Sequence, residues 1–276
     1  MDGQNILNSI NIIAEKIFKS VEGEVFQKLD KLLIIDSKIL KEEPLKTLFT
    51  NAQSEGLIVL GTSFIIFFFI YYVLVRMLSM YNGEENENVF KYILKVIICT
   101  ICSVSSVYIC EQILDISGML TNVISSIGKS LTGEDICFTN LREIVVNLDS
   151  FMGNEALSID GIIKGIISFG ATSILIAFSI RYVTVIFLIL VSPLAIMFIA
   201  SPITSGIFKS WMKMFITNLL LQNIVIIILM IPLSLKETND NMFKIVLVGS
   251  IYLLYKINNF TKDFLGNVTE QVIKRK

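Results

Sequence analysis

The residues from Leu57 to Val75, LIVLGTSFIIFFFIYYVLV, form one uncharged apolar run. A helix needs roughly 20 apolar residues to cross the hydrocarbon core of a bilayer, and this run supplies them. Similar runs recur along the chain, so lipid rather than water is the solvent for most of it. That excludes most folds open to a soluble enzyme.

Composition agrees: 54% of the residues are hydrophobic and only 17% are charged. Soluble domains carry about 25% charged residues. The 23 basic and 24 acidic residues nearly cancel, so the chain exerts no global pull on nucleic acid. It has no histidine, which removes Ser–His and Cys–His nucleophile pairs, imidazole metal ligands and histidine proton relays together. Residues 1–41 mix charges through their apolar positions and do not read as a cleavable signal.

The pattern predicts an all-α integral membrane protein with about five transmembrane helices. Residues 1–56 read as an amphipathic N-terminal region. Ile6, Ile10, Ile13 and Ile17 form one stripe, and Leu29, Leu32, Leu33, Ile35 and Ile39 a second. Pro44 suits the first turn of a short helix carrying Leu45, Leu48 and Phe49. This region reads as a cap on its own membrane domain, with a surface-lying or partner-binding role as the alternative. Residues 57–110 hold two spans, the second from about Tyr92 to Cys110 with Lys95 near its start. Residues 111–164 read as a structured extracytoplasmic loop with stripes Ile116, Leu120, Val123, Ile127 and Leu141, Ile144, Val145, Leu148, broken near Thr132-Gly133. Residues 165–260 supply three further spans around a Pro-broken connection at Pro193. Residues 261–276 form a basic amphipathic tail.

Lysine and arginine placement sets the orientation. Arg76, Lys91 and Lys95 hold the first loop inside, while the acidic segment 111–164 lies outside and the basic tail inside. Counting crossings between those points gives an N-out, C-in chain in the cytoplasmic membrane. Cys137 is then external and open to thiol reagents.

Few motifs survive inspection. Cys99 and Cys102 make a CxxC, but in a lipid-embedded span without histidine they read as small apolar packers. Gly128-Lys129-Ser130 resembles the end of a phosphate-binding loop, yet Val123 stands where the pattern needs its first glycine. No catalytic residue, cofactor or metal is implied. Gly161 and Gly165 have GxxxG spacing and Gly170 follows, which suits close helix packing or a subunit interface. Lys209 and Lys213 bracket Trp211 as membrane-interface anchors do.

Arg181 is the most informative polar residue. A central arginine costs about 2.5–3.5 kcal/mol on insertion scales, so it must face other helices, a watery cavity or the inner headgroups. Asn218, Gln222 and Asn223 on the next span could satisfy it; anchoring at the headgroups is the alternative.

The stretch from Arg181 to Asn223 resembles the signature of the TrbL-like (VirB-six class) channel subunit of type IV secretion systems. The resemblance rests on Arg181 in an apolar helix, Ser192-Pro193-Leu194-Ala195, Pro202-Ile203-Thr204, and Trp211 opening the next span. It implies a non-enzymatic, multi-pass subunit of a conjugative DNA-transfer machine, in a Gram-positive element to judge by the Ile-, Lys- and Asn-rich composition. It also implies a translocation core at Arg181, Ser192, Pro193, Pro202, Thr204, Trp211, Asn218 and Gln222. The partners implied are a homo-oligomeric ring, other type IV secretion subunits including ATPases, and membrane lipids. Contact with transferred DNA would be transient and without sequence specificity. Lys209, Lys213, Lys274, Arg275 and Lys276 would face ATPases or acidic lipid. The rival readings are a small-solute permease, which also uses Pro-broken helices, and a stand-alone membrane scaffold. The absence of an inverted repeat weighs against the permease.

Overall fold

The computed structural model describes residue 16 and residues 24–51, 63–64, 66–67, 69–74, 77, 81, 89–147, 159–201, 204–235 and 242–257. Among these, all regular structure is helical. We label α1 (24–33), a 3-10 helix (Ser37–Lys41), α2 (Glu43–Asn51), α3 (Val89–Val104), α4 (Ser106–Thr132), α5 (Phe138–Asn147), α6 (Ile159–Leu190), α7 (Ser192–Met197), α8 (Ser205–Ser234) and α9 (242–257). The described residues of the predicted first span are helical. The stripe from Ile6 to Ile17, Leu148, Pro202, the tail 261–276 and the rest of the first span lie outside the described residues.

Several local predictions hold. Pro44 sits in the first turn of α2, where its missing N–H costs nothing. The break after Thr132 is real: Gly133 takes φ +74°, a left-handed conformation that a residue without Cβ adopts freely. Pro193 ends the long α6 at Leu190 and opens the short α7. Gly165–Leu190 and Ser205–Ser234, at 26 and 30 residues, are long and apolar enough to cross a membrane.

The chain forms two units. One comprises Met1–Ile35, Gly118–Tyr182 and Leu219–Lys276. Its core joins Phe26, Leu29 and Leu33 of α1 to Phe138 and Leu141 of α5, Ile174 and Phe178 of α6, Val225 and Leu229 of α8, and Leu247 and Leu254 of α9. Of the N-terminal region, α1 is thus packed into this core. The predicted stripe does not continue as one helix, because α1 ends at Leu33 and residues 34–36 are irregular. Asp30 fixes the approach of α1. Its carboxylate accepts from the backbone N–H of Phe138 (2.6 Å) and of Thr139 (3.0 Å) and from the Thr139 hydroxyl. A carboxylate at a helix N-terminus satisfies orphan N–H groups and meets the positive end of the helix dipole.

The other unit comprises Asp36–Ser117 and Val183–Asn218. Lys41 pairs with Glu111 at 3.3 Å, and Phe64 meets Phe198 edge-on with ring centroids 6.0 Å apart. α3 packs against α7, and the Ser103 hydroxyl donates to the Pro193 carbonyl at 2.9 Å.

The second predicted span needs correction. The helix does not run straight from Tyr92 to end at Cys110: it bends by 65° between Val104 and Ser106 and continues to Thr132. A serine pair, Ser105-Ser106, sits at the bend, a common site of sharp kinks. The first part of the segment 111–164 is therefore the continuation of this helix, and α5 follows it. Within the first unit Thr121 lies beside Gln222 and Asn223, and Gly128 beside Met230. Two turns along α4 match two turns along α8, so the pair run in the same direction. The stripe noted along α4 is its outward face. Ile116, Leu120, Val123 and Ile127 are exposed, whereas Ser117, Gly118, Thr121 and Gly128 are buried. Small and polar residues inside, with apolar residues outside, is how a helix packs when its surroundings are lipid.

Candidate functional site

At the end of α1 the last carbonyls have no helical partner, and the irregular residues 34–36 leave more backbone groups to satisfy. Arg181 and Gln222 meet this demand. Arg181 is 2% exposed, and its Nη1 donates to the Leu33 carbonyl at 3.1 Å. A cation at a helix C-terminus also complements the dipole. The second arm, Nη2, donates to Oε1 of Gln222 at 2.9 Å. That same oxygen accepts the Ile35 N–H at 3.0 Å, filling both of its lone pairs. The Arg181 guanidinium also lies 6.0 Å from the Phe178 ring centroid.

The chain of bonds continues in one direction. Nε2 of Gln222 donates to the Thr121 hydroxyl at 2.9 Å, and that hydroxyl donates to Oδ1 of Asn223 at 2.7 Å. Gln222 is 0% exposed, so the whole seam is withdrawn from solvent. It ends at Nδ2 of Asn223, a buried donor with no acceptor among the described residues. Polar networks in such surroundings are strong and specific because each member has few alternatives. This one joins α4, α6 and α8 to the exit of α1. Its chemistry is positional: a forked cation and two amides hold backbone at fixed points.

The seam decides between the two sequence readings of Arg181. The residue faces other helices and is not a headgroup anchor. Of the amides proposed for it, Gln222 binds it directly and Asn223 through Gln222 and Thr121. Asn218 instead donates to the Met214 carbonyl of its own helix at 2.8 Å, and it belongs to the other unit.

Ser192, Pro193, Thr204 and Trp211 also belong to that other unit. There, side-chain donors reach backbone carbonyls around the Pro-broken connection. Nε1 of Trp211 donates to the Leu188 carbonyl at 3.0 Å, Ser103 to that of Pro193, and Thr204 to that of Phe198 at 2.9 Å. Irregular backbone in a membrane protein persists only where the freed groups find such partners. The reading of Trp211 as a headgroup anchor is overturned. It is 8% exposed and stacks with Phe208 and Phe215, at centroid distances of 5.8 and 5.6 Å. Lys209 and Lys213 remain exposed. Ser192 is fully buried.

Gly161 and Gly165 lie in the first turns of α6. Gly170 is a site of close packing within the chain, since a Cβ there would overlap the Ile251 side chain of α9. Gly128 is a packing glycine too: a Cβ would lie 2.7 Å from Cγ1 of Ile136, and the adjacent Lys129 pairs with Asp135 at 2.9 Å. Neither feature belongs to a phosphate loop. Sequence reasoning missed Thr121, Asp30 and the backbone of Leu33 and Ile35. A signal for Thr121 was present, because it shares a helical face with Ser117, Gly118 and Gly128.

A family model described as TrbL/VirB6 plasmid conjugal transfer like protein matches residues 41–256. Comparison with curated proteins and with solved structures finds no match.

Proposed function

This chain belongs to the TrbL/VirB6 plasmid conjugal transfer like family, a membrane subunit of conjugal transfer systems, and we propose that it forms the polytopic channel or platform subunit of a type IV secretion machine. The observation that carries the reading is the extent of the match, which runs from the end of the 3-10 helix into the last turn of α9.

In this reading the chain is non-enzymatic and multi-pass in the cytoplasmic membrane of a Gram-positive host. With no histidine and no phosphate loop of its own, it draws its energy from partner ATPases. Copies assemble as a homo-oligomeric ring, and contact with passing DNA is transient and independent of sequence. The exposed Lys209 and Lys213 face the ATPases or acidic lipid. The seam of Arg181, Gln222, Thr121 and Asn223 holds the helices at fixed spacing while substrate moves.

The test is deletion of the gene from its host element, with conjugative transfer and small-solute uptake measured in parallel. Transfer should be lost and uptake unchanged, with transfer restored by the wild-type gene. Normal transfer with impaired uptake would overturn the reading in favour of a permease.

A further inference from the structure

The unit built from residues 36–117 and 183–218 contains a groove of about 260 Å3 between α3 and the α7 region. Its walls are apolar or weakly polar: Ile98, Cys99 and Cys102 from α3, Ile196 and Ile199 from α7 and the turn after it. One cation shares the lining. Lys95 stands inside the apolar stretch Ile93–Val104, is half-buried, and makes no ion pair among the described residues.

A lysine near the end of a span ordinarily extends its ammonium to the headgroup layer. Lys95 is near the start of α3 and also lines the groove, so a ligand held there can meet a cation at one end. The same elements offer it no carboxylate, because residues 88–110 and 183–235 contain no aspartate or glutamate. An anion that carries an apolar body would complement both the cation and the apolar walls.

We propose that this groove is a binding site for an anionic phospholipid, with one acyl chain against Ile98, Ile196 and Ile199 and the headgroup phosphate on the Lys95 ammonium. A phospholipid supplies both chemistries in one molecule, and basic pockets between membrane helices are established headgroup sites. The site has a mechanical consequence. The groove lies where α3 packs against α7, so a bound chain fills the space beside the Pro-broken element and ties its position to lipid composition.

The test uses the delipidated full-length chain in detergent, offered equal amounts of phosphatidylglycerol and phosphatidylcholine and read by native mass spectrometry. Wild type should retain phosphatidylglycerol preferentially. Lys95→Gln should lower that preference about five-fold, the worth of one lysine at an anionic surface. Lys95→Arg should keep it, as should Lys28→Gln in the other unit. A second measurement needs no variant: phosphatidylglycerol should slow alkylation of Cys102 by N-ethylmaleimide more than phosphatidylcholine does. An unchanged lipid preference in Lys95→Gln would overturn the site. So would Cys102 protection that follows protein concentration rather than added lipid, which would assign the groove to a second copy of the chain.

Discussion

Replacing Arg181 by methionine should release residues 24–35 from their site while the remaining helices of the unit stay assembled. Methionine keeps an unbranched apolar stem and removes the forked donor, so packing loss is small. At least two hydrogen bonds disappear, to the Leu33 carbonyl and to Oε1 of Gln222. Bonds from a charged donor contribute about 1.5–3 kcal/mol each, and a buried carbonyl left without a partner costs about 1–3 kcal/mol. Removing the burial cost of the guanidinium itself offsets part of this. The net loss is about 3 kcal/mol, and since 1.4 kcal/mol is a factor of ten, local opening should rise roughly a hundredfold. Amide hydrogen exchange in nanodiscs reads this directly: peptides covering 24–35 should exchange faster, and those covering 219–234 should not. Arg181→Lys should fall between, because one ammonium cannot present a planar pair of donors. Gln222→Leu should mimic Arg181→Met, and the double variant should cost less than the sum, as members of one network do. Unchanged exchange over 24–35, or an equal increase throughout α6 and α8, would refute the role assigned to the seam.

Gly170→Ala should destabilise the chain by about 1–3 kcal/mol, the usual cost of overpacking, through collision with Ile251. Thermal unfolding in detergent would show a lowered midpoint, with the double variant Gly170→Ala/Ile251→Ala less stable than Ile251→Ala by much less than that; strict additivity would mean the two helices do not meet there. Cys137 is half-buried, and burial pushes its thiol above the ordinary value while the Asn140 N–H pulls only partly against it. A raised value leaves less thiolate at neutral pH, so modification by an impermeant maleimide should be slow there and still climbing at alkaline pH. Labelling of intact cells should vanish in Cys137→Ser, and a rate that levels off below the ordinary thiol value would contradict the burial.

Local signals in the sequence were reliable wherever one residue controls the backbone. Pro44, Gly133 and Pro193 mark boundaries that the fold keeps, and each acts through its own φ preference or its missing donor. Arg181 was legible as a buried cation because its insertion cost demands a partner, and Gln222 was among the few candidates within the next span. The partner on α1 was not legible. Leu33 contributes a carbonyl, and backbone groups carry no sequence signature. The α4 stripe left its packing face open because periodicity shows that two faces differ without saying which faces the protein. In water the apolar face turns inward; beside lipid the close-packing face is the small one, here Ser117, Gly118 and Gly128. Trp211 misled for a related reason. An indole flanked by lysines looks like a belt residue, yet the freed Leu188 carbonyl draws its N–H inward.

The contacts that hold α1 also constrain how the protein can be made. Leu33 is held by a residue 148 positions later in the chain and Ile35 by one 187 positions later. Residues 24–35 are therefore synthesised long before their binding site exists. Through that interval Phe26, Leu29 and Leu33 have no core to enter, and closing so long a loop carries an entropic cost that local helices avoid. Docking of the N-terminal helix is accordingly a late step in biogenesis, completed only after α6 and the second half of α8 have left the ribosome and packed together. A nascent chain stalled before Gln222 would hold α1 loose, which makes accessibility of that helix a clock for assembly.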